Sequence, residues 1–116
     1  MGDVHLVDRF LTISREDCAR FYADNMVSIP EYFYDNYHVG FDVSPEGAGL
    51  RALYSCRLDD LDELAEQLLA VGAEGYFTVC DERGDPDTLR QYEFKDNKCF
   101  VYAADIAWIE KRILEL

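Results

Sequence analysis

The 116-residue chain carries 24 acidic against 11 basic side chains, a formal net charge of −13 at pH 7; such a field favours a cationic partner and repels nucleic acid and anionic membranes. The length suits one domain with a true core and is too short for two, and the 49% hydrophobic and 14% aromatic content argues against low-complexity disorder. No apolar run approaches the ~20 residues of a membrane span, and Met1 to His5 lack the cationic-then-apolar order of a secretory signal, so a soluble, cytoplasmic protein is expected.

Val4 to Ile13 fits helix and strand templates equally. Ser14-Arg15-Glu16-Asp17 resembles a capping box, and Cys18, Phe21, Tyr22 and Met26 follow at helical spacing, predicting a helix from about Arg15 to Asn25. Ser28-Ile29-Pro30-Glu31 starts a second, short helix with Pro30 in its first turn. Tyr37, Val39, Phe41 and Val43 alternate with polar or small residues and predict a strand. The segment 44–49 is a loop by composition, and Leu50 to Leu58 alternates as another strand. From Asp60 to Val71 the stripe Leu61, Leu64, Ala65, Leu68, Val71 predicts a helix, capped by Asp59 or Asp60 with Glu63 completing the box, and ended by Gly72. Tyr76 to Cys80 is a strand and Gly84 to Asp87 a turn. Leu89 to Lys95 and Lys98 to Tyr102 form a hairpin around Asp96-Asn97, and Asp105 starts a final helix with Ile106, Trp108, Ile109 and Ile113. Helices interspersed with hairpins predict a single α+β domain: a two-layer sandwich with a mixed sheet of about four or five strands and helices on one face.

The charge is uneven along the chain. Residues 21–87 hold fifteen of the 24 acids but only three bases, Arg51, Arg57 and Arg83. Asp59, Asp62, Glu63 and Glu66 fall on one helix face, where like charges four apart cost roughly 0.2–0.5 kcal/mol per pair. Acids in a first turn also face the positive end of the helix dipole, but Glu66, Asp81 and Glu82 lie beyond that explanation. Glu31-Tyr32-Phe33-Tyr34-Asp35-Asn36-Tyr37 mixes aromatic area with carboxylates, a combination suited to contacting Arg or Lys. A short helix cannot turn four aromatics inward, so at least one of Tyr32, Tyr34 and Tyr37 is expected to be exposed.

No motif points to catalysis, a cofactor or a metal. His5 and His38 lie in no base, nucleophile or ligand pattern, no glycine-rich phosphate loop exists, and Asp81 to Asp87 lacks the spacing of a calcium loop. Cys18, Cys56, Cys80 and Cys99 sit singly among apolar residues and read as reduced, buried thiols. The expectation is a non-enzymatic acidic protein that inhibits a basic, nuclease or nucleic-acid-binding partner by occupying its cationic cleft, as an immunity protein or a phage-type anti-restriction or anti-CRISPR inhibitor does. It would not contact nucleic acid or membrane directly, and its oligomeric state is left open. Contact residues are expected among Glu31, Tyr32, Tyr34, Asp35, Tyr37, Asp59, Asp62, Glu63, Glu66, Asp81 and Glu82. The alternatives are an interaction or scaffold module whose acidity serves solubility, and a small enzyme or ligand-binding domain. Charge density sets a condition on the first: 13 charges over an area on the order of 6,500 Å² average about one per 500 Å², against about one per 100 Å² on duplex DNA. Imitation of nucleic acid therefore requires clustering.

Overall fold

A computed structural model describes residues 4–81, 83, 84, 86–103 and 112–115. Its first segment settles as strand β1 (His5–Ser14), because Leu11 and Ile13 bury alternately while Phe10 and Thr12 stay exposed. Helix α1 (Arg15–Asn25) follows without a loop: Ser14 is still extended, and its Oγ accepts the Asp17 N–H. Helix α2 (Ile29–Tyr37) is capped the same way by Ser28, and both helices end on a left-handed residue, Met26 and His38. Strands β2 (Val39–Ser44) and β3 (Gly47–Leu53) form a hairpin that takes up part of the expected loop. A 3₁₀ turn at Leu58–Asp60 runs into α3 (Leu61–Ala70), after which Gly72 takes φ +90°. Strands β4 (Glu74–Cys80), β5 (Arg90–Lys95) and β6 (Lys98–Ala103) complete the chain to residue 103. Asp96 and Asn97 both have positive φ, 55° and 60°, the geometry of a tight hairpin turn.

Three expectations are corrected. The sheet is antiparallel throughout rather than mixed, with order β2-β3-β1-β4-β5-β6 followed by a short β7 (Arg112–Glu115). Strands β3 and β4, joined through α3, do run in the same direction, but β1 is inserted between them and pairs antiparallel with both. It has six strands from His5 to Ala103, plus β7 beside β6, rather than four or five. Ile113 consequently lies in a strand and not in the expected last helix, whose other residues, 105–109, lie outside the described residues.

The core follows from register. Phe77 pairs across with Tyr92 and Tyr92 with Val101, while Gly75, Phe94 and Cys99 form the next row on that face. Phe77 stacks on Tyr92 at 5.2 Å between ring centroids. Ile29 and Phe33 of α2 and Leu61, Leu64, Ala65 and Leu68 of α3 belong to the same buried cluster, all essentially inaccessible to solvent. Each such side chain contributes about 1.5–3 kcal/mol of burial. Helix α1 buries no residue fully; Cys18 and Phe21 are half-buried against the cluster.

Candidate functional site

Helix α2 orients its side chains by what it buries. With Ile29 and Phe33 inward, Glu31, Tyr34 and Asp35 face outward and are exposed. Tyr34 is 54% exposed, as expected for at least one tyrosine of the run. Tyr32 and Tyr37 lie half-buried on the flanks. Tyr32 packs edge-on against Phe21 of α1, at 5.2 Å between centroids. On the other flank the Tyr37 hydroxyl donates to Glu63 Oε2 of α3 at 3.2 Å. Burial first, then this bond and the charges of Glu63 and Glu66, push the Tyr37 phenol up to about 12. The aromatic run and the acidic helix, 26 residues apart in sequence, therefore meet.

Helix α3 separates its two faces cleanly. Its buried stripe leaves Asp62, Glu63 and Glu66 on the opposite side at 100° per residue, and Asp59 stands in the 3₁₀ turn that leads into it. All four are exposed, and among the described residues no salt bridge reaches them; those present join Asp17 to Arg20, Asp42 to Arg51 and Asp81 to Arg83. The four span about 11 Å of axis, roughly one carboxylate per 3 Å, close to the ~3.4 Å phosphate spacing of one DNA strand. Asp62 also serves the core, accepting the Tyr92 hydroxyl at 3.1 Å. Burial, followed by Asp62, raises Tyr92 to about 12 and the Cys99 thiol to about 11. Asp60 is no side-chain cap: the preceding 3₁₀ turn already gives it helical angles, φ −92° and ψ −5°.

Between the end of α2 and the start of α3 lies an open groove of about 580 Å³, lined by Asn36, Tyr37, His38, Ser55, Arg57, Asp60 and Glu63. Beside it Tyr34 meets Tyr54 edge-on at 6.0 Å. The Tyr54 hydroxyl accepts from Arg51 at 2.6 Å, and Arg51 pairs with Asp42 at 2.9 Å. Tyr54 escapes a reading of sequence because alternation puts it inward with Leu50 and Ala52, whereas β3 ends at Leu53. A signal was available in Gly40: a Cβ there would come within 2.9 Å of the Tyr54 ring, so the glycine makes room for that ring.

The remaining acids are dispersed. Asp81 follows β4, at the sheet end where β1 and β5 begin, and faces Arg83. Glu82 lies outside the described residues. Asp17, Asp42, Glu46 and Glu74 line a second groove of about 460 Å³ at the opposite end, beside the β2–β3 turn. Among the described acids of residues 21–87, Asp60 and Glu63 thus line one groove and Asp42, Glu46 and Glu74 another. Cys56, Cys80 and Cys99 are buried, and Cys18 is half-buried. Among the described residues no group of three or more His, Cys, Asp or Glu is placed to hold a metal ion, and no helix is long and apolar enough to cross a membrane. Comparison with protein-family models, curated proteins and solved structures finds no match for this chain.

Proposed function

We propose that the chain is a binding protein acting by occupancy rather than catalysis: its acidic helix layer enters the cationic cleft of a nuclease or other nucleic-acid-binding protein and excludes the nucleic acid. The carrying observation is the Tyr37–Glu63 contact, which joins the exposed aromatic helix to a helix that, with its leading turn, holds four uncompensated carboxylates. In this reading the three helices pack on one sheet face. The outer sides of α2 and α3 then point the same way, and Glu31, Tyr34, Asp35, Asp59, Asp62, Glu63 and Glu66 form one contact surface. Arginine or lysine side chains of the partner meet α3 as they would meet one strand's phosphates, and the polar groove at Tyr37 and Glu63 receives a guanidinium or ammonium head. The groove lacks the apolar lining of a small-molecule pocket, which favours a charged side chain over a metabolite. Asp81 is left out of the contact surface, because Arg83 stands beside it.

The test uses the chain and its Asp59/Asp62/Glu63/Glu66→Lys variant as parallel baits for proteins of the native host at low salt. A basic protein held by the first alone, released by about 0.5 M salt, and prevented from shifting a labelled DNA or RNA by added chain, supports the proposal. Partners held equally by both baits, or whose nucleic-acid binding the chain leaves unchanged, refute it.

A further inference from the structure

We propose that the outer edge of β2 is a second, separate docking site, which takes an extended segment of a protein partner in which aliphatic and basic residues alternate. Strand β2 ends the sheet, and the outward backbone groups of a terminal strand are a template for another strand. Natural edges are blunted by lysine, proline or a bulge. Here the register shift opposite Gly40 and Phe41 puts its extra residue, Arg51, on β3 and not on the edge strand, and the half Phe41-Asp42-Val43-Ser44 contains no lysine or proline.

That unprotected half borders an apolar groove of about 330 Å³ between α1, the start of α2 and the β2–β3 hairpin, lined among others by Cys18, Ala19, Tyr22, Ile29, Pro30 and Val43. Val43 is 72% exposed at the rim. Backbone pairing with side-chain pockets beside it is the arrangement of strand-addition recognition. The occupant's chemistry follows from the pleat. Successive side chains alternate between faces, so residues of an added strand on the Val43 side meet the apolar groove, and the intervening ones lie on the side of Asp42. The stretch 21–50 holds five carboxylates and no Lys or Arg. Although Arg51 pairs with Asp42, Glu46 and Glu74 in the same groove enter no ion pair among the described residues, which calls for basic residues at those positions. Arg15 on the groove rim is the exception. A second copy of this chain is the poorer occupant, since edge pairing brings together two chains of net charge −13.

The experiment pans a displayed library of random dodecapeptides against the whole chain, with the Val43→Lys chain as counter-bait. The exposed position of Val43 leaves the fold intact, which circular dichroism verifies. Enrichment of alternating aliphatic-basic sequences is expected. A synthetic member should slow amide hydrogen exchange at residues 41–44 and bind Val43→Lys at least tenfold more weakly. It should bind the four-lysine variant within threefold of wild type, so this site and the helix-layer proposal fail separately. No enrichment, enrichment equal on the counter-bait, protection elsewhere than β2, or self-association through β2 in sedimentation overturns the proposal.

Discussion

Two regions of this molecule hold similar numbers of carboxylates and differ in what surrounds them. At the junction of α2 and α3, Asp59, Asp62, Glu63 and Glu66 meet no ion-pairing base among the described residues. At the hairpin end, Asp17 has Arg20 and Asp42 has Arg51, and Ser14 and Ser44 hydroxyls donate to Asp17 and Glu46. Counting acids gives the two regions equal claims on a cationic partner. Compensation does not, because a paired carboxylate projects little field beyond its pair in screening solvent. The acids on the side of α3 opposite its buried stripe have no ion pair among the described residues, and the proposed function rests on them.

The largest expected effect tests that contrast directly. Reversing Asp59, Asp62, Glu63 and Glu66 to lysine changes the net charge by eight units and should weaken binding to a polycationic probe such as poly-lysine by at least a hundredfold at 50 mM salt. Reversing Glu46 and Glu74 should change it by less than about fivefold, since Arg20 and Arg51 already pair with the other two acids there. Isothermal titration of both variants decides; equal losses would make charge density, not compensation, the controlling quantity.

The next effect concerns what holds α3 in place. Leu64 is fully buried, and Leu64→Ala should cost about 3 kcal/mol of unfolding free energy by lost burial plus cavity, read as a lower urea midpoint with unchanged slope. Alkaline titration probes the divided role of Asp62. Tyr92 and Tyr37 are raised from 10 to about 12, and Cys99 from 9 to about 11. The folded state therefore keeps protons that the unfolded chain releases, so stability is intact below about pH 9 and falls as pH climbs towards 12. For Tyr92 alone the loss is on the order of 2 kcal/mol. Tyr92→Phe should flatten that part of the profile; an unchanged slope would disconnect Asp62 from the core.

The local elements were largely legible in the chain because their signals are local. Ser14 and Ser28 with their capping geometry, the leucine stripe of α3, Gly72 and the Asp96-Asn97 turn each act within a few residues, and α1 begins and ends at the expected Arg15 and Asn25. Sheet order was not legible, since nothing near β1 in sequence announces that it lies between β3 and β4. Asp60 failed as a cap because a 3₁₀ turn precedes it. The candidate site was legible only in halves: the acids and tyrosines carry the signal, whereas the Tyr37–Glu63 contact, the groove with His38 and Arg57, and the Tyr34–Tyr54–Arg51 chain depend on tertiary structure.

The smallest expected effect sharpens the comparison most, because it tries to turn one region into the other. Arg51 pairs with Asp42 and donates to Tyr54, and both ion-pair partners are substantially exposed. Arg51→Gln should therefore cost less than about 1 kcal/mol of stability. It also uncovers Asp42 in a groove that already holds Glu46 and Glu74, so the association rate with poly-lysine should rise about twofold at 50 mM salt and return to the wild-type value at 0.5 M, where screening is nearly complete. Arg51→Lys keeps the cation but loses the planar fork that bonds Asp42 and Tyr54. It should match wild type in association rate while loosening Tyr54 from its contact with Tyr34, visible as a change in tyrosine fluorescence. If Gln and Lys behave alike in the rate measurement, the positive charge of Arg51 does not govern the hairpin-end groove, and the distinction between answered and unanswered carboxylates fails where it is easiest to test.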